Sequence, residues 1–321
     1  MTTEDRILTA FIPQELAGLR LDQALAELFP TYSRSRLQQW IREGQVLVNE
    51  QQPRPRDRVM GGEQVRIDAV SDAATGEAEA QDIPLVIVYE DEAMLVVNKP
   101  AGMVVHPAAG NRDGTLLNAL LHYAPELASV PRAGLVHRID KDTTGLLVVA
   151  RSLEAHKLLV EQLQARLFER EYEAVVAGVM TGGSTVEGAM ARHPRDRVRM
   201  AVSATGKPAI THYRVIDRFR SHTHVQVKLE TGRTHQIRVH MAHIHHPVIG
   251  DPVYGGRARI PAGCSPTLAE ALRHFKRQAL HAAHLGLEHP LSGEHMDWHA
   301  PLPEDMQVLL AVLRDDLSVS Q

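Results

Sequence analysis

The sequence predicts an α+β protein in two parts. Apolar runs of strand length and amphipathic segments of helix length follow one another without regular βαβ alternation. A small, acidic stretch without periodicity, VSDAATGEAEAQD at residues 70–82, separates two regions of different texture and reads as a linker. The length, 321 residues with 44% hydrophobic content, suffices for two domains of ordinary size. The expected division is an N-terminal extension (1–17), a small domain (18–69), the linker (70–82) and a large domain (83–321).

In the small domain, LRLDQALAELF places Leu21, Leu25 and Leu28 at helical spacing, and Pro30 stops that helix. SRSRLQQWIREG is a second helix, capped by Ser33 or Ser35, with Leu37, Trp40 and Ile41 on its apolar face and Gly44 at its end. QVLVNEQQ reads as strand and turn, and EQVRID as another strand. In the large domain, IPLVIVYEDEAMLVVNKPAG reads strand, turn, strand, and GTLLNALLHYA is a helix starting near Thr115. GLVHRIDKDTTGLLVVAR, residues 134–151, reads as two strands around a polar loop. SLEAHKLLVEQLQARLF is a long amphipathic helix and REYEAVVAGVM a strand. HYRVIDRF, THVQVKLETG and RTHQIRVHMAHI continue a strand-rich pattern with one helical start, and ALHAAHLGLEHP is a late strand.

Composition removes several classes of function. A single cysteine, Cys264, excludes an intrachain disulfide and a cysteine-based zinc site, and suits a reducing cytoplasm. No stretch approaches the roughly 18 apolar residues of a membrane helix. Met1 to Ile12 carries Glu4, Asp5 and Arg6 and is not expected to be a signal peptide. The formal net charge of −4 argues against a coat for nucleic acid, yet arginines cluster locally, at Arg34, Arg36 and Arg42 and again at Arg192, Arg195, Arg197 and Arg199. Taken alone, such clusters read as solvated surface.

The loop of residues 137–145 concentrates the chemistry: His137, Arg138, Asp140, Lys141 and Asp142 lie between two apolar runs. Three readings compete. The loop is a plain turn, for which Asp, Thr and Gly are suited. Or His137 with Asp140 or Asp142 ligates a metal. Or Asp140 is a nucleophile or base, kept ionised by a cation. The third reading needs partners, and Arg233 and Tyr172 are candidates. The plain alternatives are a surface arginine and a packed core tyrosine. The run HMAHIHHP, with His240, His243 and His246 every three residues, raises a metal-dependent hydrolase, but no HExxH arrangement accompanies it.

A resemblance narrows the choice. HRIDKDTTG resembles the motif H-R-[LI]-D-x-x-[TS]-[TS]-G of the pseudouridine synthases of the large ribosomal RNA type, with Ile139 where leucine is common. REYEAVV resembles the second motif of that family and ETGRTHQIRVHMAHIHHPVIGDPVYGG its third. LRLDQALAELFPTYSRSRLQQWIREGQVLVN resembles the S4 RNA-binding fold. The resemblance covers nearly the whole chain.

The resemblance implies isomerisation of uridine to pseudouridine in 23S rRNA, with the stem-loop that bridges the ribosomal subunits, helix 69, as the expected target. It implies no metal, no nucleotide and no other cofactor. Asp140 would be the essential carboxylate, Arg233 its ion-pair partner, and Tyr172 the ring stacked on uracil. The target nucleotide would flip out of its stack at a cost of a few kcal/mol. Arg138 would fill the vacated space or hold the flipped backbone, and His137 would support the loop beside the RNA. Thr143, Thr144 and Gly145 would shape that loop. Arg34, Arg36 and Arg42 are expected phosphate contacts, with Arg195 and Arg197 as a second face. The implied protein is a cytoplasmic monomer acting on 23S rRNA or a precursor particle, without a membrane. The rival is a non-catalytic S4-type factor that only binds rRNA.

Overall fold

The computed structural model describes residues 6–29, 32, 34–69, 78–108, 110–196, 198–257 and 260–318. The chain divides into two compact units, Met1–Glu77 and Ala78–Gln321.

The first unit packs two helices on a three-stranded antiparallel sheet. Its elements are β1 (Arg6–Phe11), α1 (Leu21–Leu28), α2 (Arg34–Arg42), β2 (Val46–Val48) and β3 (Gln64–Ala69), with strand order β1-β3-β2. Leu21, Leu25, Leu37, Trp40, Ile41, Val46, Val65 and Ile67 form the core. Each such side chain contributes roughly 1.5–3 kcal/mol when fully buried. The stretch read as an N-terminal extension contains β1, whose Leu8 pairs with Ile67 of β3. Its larger apolar residues, Ile7 and Phe11, face solvent, which disguises the strand. Pro30, Ser33 and the side chain of Ser35 lie outside the described residues, so the expected stop and cap there have no structural counterpart to report.

The second unit is built on a nine-stranded mixed sheet. In chain order it comprises β4 (Ile87–Glu90), β5 (Met94–Lys99), α3 (Leu116–Tyr123), β6 (Thr144–Ala150), α4 (Leu153–Gln164), β7 (Glu169–Ala177) and β8 (Ser184–Glu187). A small hairpin follows, β9 (Met190–Arg192) and β10 (Met200–Val202), then β11 (Ile210–Arg218), β12 (His222–Leu229) and α5 (Gln236–His243). α6 (Pro266–His274), β13 (Leu280–Glu288), β14 (His295–His299) and α7 (Glu304–Ser318) close the chain. The strand order is β4-β5-β6-β13-β7-β12-β11-β8, with β14 paired to β13. Among the described residues only β6 and β13 run parallel. The α+β class expected from the sequence is the class found.

Apolar clusters lie on both faces of β5 and β6. Met94 and Val96 join α4 on one face, while Leu95 and Val97 join the other core. Burial on both faces is why MLVV and GLLVVA read as continuous apolar runs rather than alternating ones.

The expected strand at Gly134–Val136 is not one. The chain there leaves a short 3-10 turn through left-handed residues, Arg132 (φ 57°) and Ala133 (φ 50°), and makes one isolated bridge, Leu135 to Val149. Gly134 itself has φ +78°, and a Cβ there would stand 1.9 Å from the carbonyl oxygen of Ala150. The segment is bound to β6 as a close-packed turn, not as a ladder.

Candidate active site

The loop that carries Asp140 is clamped from beneath. Lys99, at the end of β5 and 1% exposed, donates through Nζ to the carbonyls of Pro100 (2.7 Å), Met103 (2.9 Å) and Lys141 (2.9 Å). Burial pulls its pKa down to about 7, against the opposing charges of Asp142 and Asp140. Arg277 Nη1 donates to the Asp142 carbonyl at 3.2 Å, and Gln278 Nε2 to Thr143 Oγ1 at 3.1 Å. Thr144 Oγ1 lies 2.8 Å from His281 Nδ1. Gly145 (φ +115°) crosses β13 so closely that a Cβ would sit 2.2 Å from the carbonyl oxygen of Ala282. The Thr-Thr-Gly end of the motif therefore serves to join β6 to β13 directly behind Asp140.

Asp140 is held from the other side by α5. Arg238 Nη1 donates to Asp140 Oδ2 at 2.9 Å. The same guanidinium grips Asp251 with two bonds, Nε to Oδ2 at 2.7 Å and Nη2 to Oδ1 at 2.9 Å. Asp251 Oδ1 also accepts the backbone N–H groups of Val253 (2.8 Å) and Tyr254 (2.9 Å). Burial opposes the charge on Arg238, but its bonds to Asp251 and the charges of Asp251 and Asp140 outweigh that and raise its pKa. Burial likewise works against the Asp251 carboxylate, and the Arg238 pair overcomes it and holds the pKa below the usual value. Both are nearly inaccessible, so the pair is a fixed charge arrangement rather than a surface bridge.

Asp140 Oδ1 faces His235 Nε2 at 3.8 Å. His235 caps α5 in the left-handed conformation (φ 58°) and places Nδ1 2.8 Å from the Tyr254 hydroxyl. Burial pushes its pKa down, and Asp140 only partly opposes this.

These groups open into a cleft of about 520 Å³, a size suited to one nucleoside-sized guest. Its lining includes Val136–Asp140, Arg166, Arg170, Tyr172, Leu229–Arg238 and Leu280. Tyr172, on β7, is 7% exposed, and burial raises its pKa, so the hydroxyl keeps its proton at neutral pH. Ile139, Ile237 and Leu280 supply apolar wall, while Arg138 and Arg233 are exposed at the rim.

The structure brings Asp140, Tyr172, His137, Arg138 and Arg233 to this one cleft, but corrects the partner of Asp140. Arg233 lies in the loop before α5. Its Nε points to the Pro208 carbonyl at 3.3 Å, and its backbone N–H is taken by Gln236 Oε1. The guanidinium on Asp140 belongs to Arg238, one turn into the helix on its buried face. The signal was present in QIRVHMAH, where a charge stands inside a run buried from Gln236 to Met241. The loop clamps Lys99, Arg277, Gln278 and His281 were not singled out from sequence at all.

His137 is committed to the fold. Its Nε2 accepts the Val148 N–H at 3.1 Å, and burial drives its pKa down to about 3. It is a neutral support for the loop, not a cation for phosphate. Arg34 and Arg20 both pair with the buried Asp22, at 2.8 and 2.9 Å. Arg42 is exposed, with Nη2 3.3 Å from Gln38 Oε1. Arg195 is exposed; Arg197 and the side chain of Arg36 lie outside the described residues. The histidine run is not a ligand set. His240 is spent on Thr211 Oγ1 (2.9 Å) and the Gly188 carbonyl (3.0 Å), and His246 on the Ala177 carbonyl (2.7 Å).

The chain is similar to known proteins. The family model for RNA pseudouridylate synthase matches residues 93–243, and the S4 domain model matches residues 19–65. A Pseudomonas aeruginosa protein named ribosomal large subunit pseudouridine synthase D is 60% identical over 307 residues, 96% of each chain. The chain belongs to the RNA pseudouridine synthase family. A protein of the same name from Escherichia coli strain K12 is 58% identical over 310 residues, covering 96% of this chain and 95% of that one. Among solved structures, human RNA Pseudouridylate Synthase Domain Containing 4 aligns with a TM-score of 0.57 and 26% identity, over 71% of this chain and 93% of its own. The pseudouridine synthase match begins at β5 and ends in α5, so it spans Lys99, Asp140, Tyr172 and Arg238 but not Asp251.

Proposed function

We propose that this enzyme converts uridine to pseudouridine in large-subunit ribosomal RNA, with Asp140 as its essential carboxylate. The observation that carries the reading is the Asp140–Arg238 pair at 2.9 Å, set in a nucleoside-sized cleft walled by Tyr172.

The reaction cuts the C1′–N1 bond of uridine, turns the detached base and closes a C1′–C5 bond, and the C5 hydrogen leaves as a proton. Nothing is oxidised and no group enters or departs, so the isomerisation itself calls for no redox or nucleotide cofactor. Arg238 occupies Oδ2 of Asp140 and keeps the carboxylate charged and oriented, which leaves Oδ1 for the substrate. Tyr172, protonated and packed among apolar side chains, offers its ring to the face of uracil, and its hydroxyl can relay a proton only by passing its own to the base as it takes up the one from C5. The target nucleotide enters by flipping out of its stack, at a cost of a few kcal/mol. Arg138, exposed and without a side-chain bond among the described residues, meets the vacated stack or the flipped phosphate.

The relatives' name, ribosomal large subunit pseudouridine synthase D, supports 23S rRNA as substrate, and the subunit-bridging stem-loop helix 69 is the target we favour. The S4 match supports a first unit that contacts phosphate through α2, with Arg42 an exposed cation of that helix. Arg195 serves as a second contact. We place the enzyme in the bacterial cytoplasm as a monomer on rRNA or a precursor particle; no helix among the described residues is long and apolar enough to cross a membrane. The rival is an S4-type factor that binds rRNA without turnover.

The test is release of tritium to water from C5-labelled large-subunit rRNA, naked or in particles. Wild type should release it and Asp140→Asn should not, while both retain the RNA. Binding without release by wild type on either substrate would replace the enzyme reading with the binding one.

A further inference from the structure

The sheet face opposite the cleft carries a polar block that pseudouridine formation does not use. Side chains alternate along β7, so Arg170 and Tyr172 face the cleft while Glu169 and Glu171 face the other way. On that side β13 lies between β7 and β14. The register sets Glu171, His284 and His299 in one row across the three strands, and Glu169, Gly286 and Asp297 in the next. Partners in register share a face, so two imidazoles and three carboxylates surround one glycine.

Three of these groups converge. His284 Nε2 and His299 Nε2 lie 3.9 and 3.8 Å from the same oxygen of Asp297, Oδ1. The two rings stack with centroids 4.4 Å apart at 29°, and all three ligand atoms fall within 4.8 Å of one another. Ligand atoms of a tetrahedral zinc site, with bonds of about 2.0–2.1 Å, stand about 3.3 Å apart. The two His–Asp297 edges are therefore about half an ångström longer than in a bound site, and the His–His edge is at most 4.8 Å. His284 is the fixed member, its side chain 12% exposed, while Asp297 (45%) and His299 (74%) are free to rotate inward. The ring of His284 has no partner at its buried Nδ1, so its polar contact is made through Nε2. Gly286 keeps the floor open: a Cβ there would stand 3.2 Å from Glu169 Cβ and 3.5 Å from His284 Cε1.

We propose that His284, Asp297 and His299 form a divalent metal site on the back of the sheet, tying the short strand β14 to β13. Two imidazoles and one carboxylate favour zinc, nickel or copper over magnesium and calcium, which take oxygen ligands. Glu169 and Glu171 add negative charge around the ion. Three protein ligands leave a position for water. An ion bound only by the folded chain raises its stability by mass action.

The full chain, freed of metal with a chelator, is dialysed against zinc alone, and bound metal and melting temperature are measured. Wild type should bind one zinc at this site and melt higher with it. His299→Ala and Asp297→Asn, both at exposed positions, should bind that zinc at least about tenfold more weakly and lose the thermal shift, with folded circular dichroism unchanged. His243→Ala, an exposed histidine elsewhere, should behave as wild type, and excess magnesium should not compete. Zinc binding equal in wild type, His299→Ala and Asp297→Asn overturns the proposal, as does no zinc binding by wild type. Neither readout depends on pseudouridine formation, so this proposal and the catalytic one stand or fall separately.

Discussion

Arg238 is placed between two carboxylates that would otherwise meet in a dry site, and its removal should cost more than any rim arginine. Arg238→Met leaves Asp251 buried and uncompensated; the expected loss is about 3–5 kcal/mol of unfolding free energy, read by urea titration. Arg238→Lys keeps the charge but cannot hold both partners in the fork geometry, so tritium release should fall by about a hundredfold or more with the fold retained. Arg233→Ala, which breaks no contact to Asp140, should stay within about tenfold of wild type in the same assay. His137 carries a pH signature. Its folded pKa, about 3, lies below the ordinary 6.5, so the unfolded chain takes up a proton first as pH falls. Stability from this residue is therefore whole above pH 6.5 and drains as pH falls toward 3. Between pH 7 and 5, wild type should lose about 1–2 kcal/mol more than His137→Gln, measured by denaturant titration at both pH values.

At the scale of elements, the site depends on where β6, β13 and α5 meet. Gly145 has no room for a side chain against the Ala282 carbonyl and has a backbone angle that suits glycine. Gly145→Ala should cost about 3 kcal/mol or more and reduce tritium release, because the junction it opens lies behind Asp140. Strands buried on both faces were legible as apolar runs, α3 as a helix starting near Thr115 and α4 as an amphipathic segment. The N-terminal strand β1 was not, because its large apolar residues face outward and its place follows from pairing with β3. Strands β8 to β10 and β14 are three to five residues long, too short for a period to emerge. By contrast α7 buries Met306, Leu309, Leu310 and Leu313, a helical spacing that was available in the sequence and not used.

At the scale of the molecule, the two units divide the work we propose: the larger holds the chemistry and the smaller contacts phosphate without reading bases. Phosphate contacts set the salt dependence of binding. Replacing Arg42 by Ala should weaken rRNA binding uniformly across sequences and lower the slope of log affinity against log salt by about one, seen by filter binding over a salt series. Arg34 should behave differently, since it is already paired with buried Asp22. Arg34→Ala is expected to destabilise the first unit as well as change its binding.

The chain's own order of residues was enough to set the α+β class and the run of apolar strands, because periodicity is a local property; it marked the charged loop around Asp140, and only the family resemblance chose among a turn, a metal site and a catalytic carboxylate there. Which arginine faces Asp140 was not. Arg233 and Arg238 stand five residues apart in one motif, and the choice between them rests on a helix starting at Gln236 and turning Arg238 toward the sheet. The same holds for Lys99, Gln278 and Asp251, whose hydrogen bonds and ion pair to the site form only when the tertiary fold brings their elements together. The polar block on the back of the sheet is likewise a product of register, since His284 and His299 become neighbours only when β14 folds against β13.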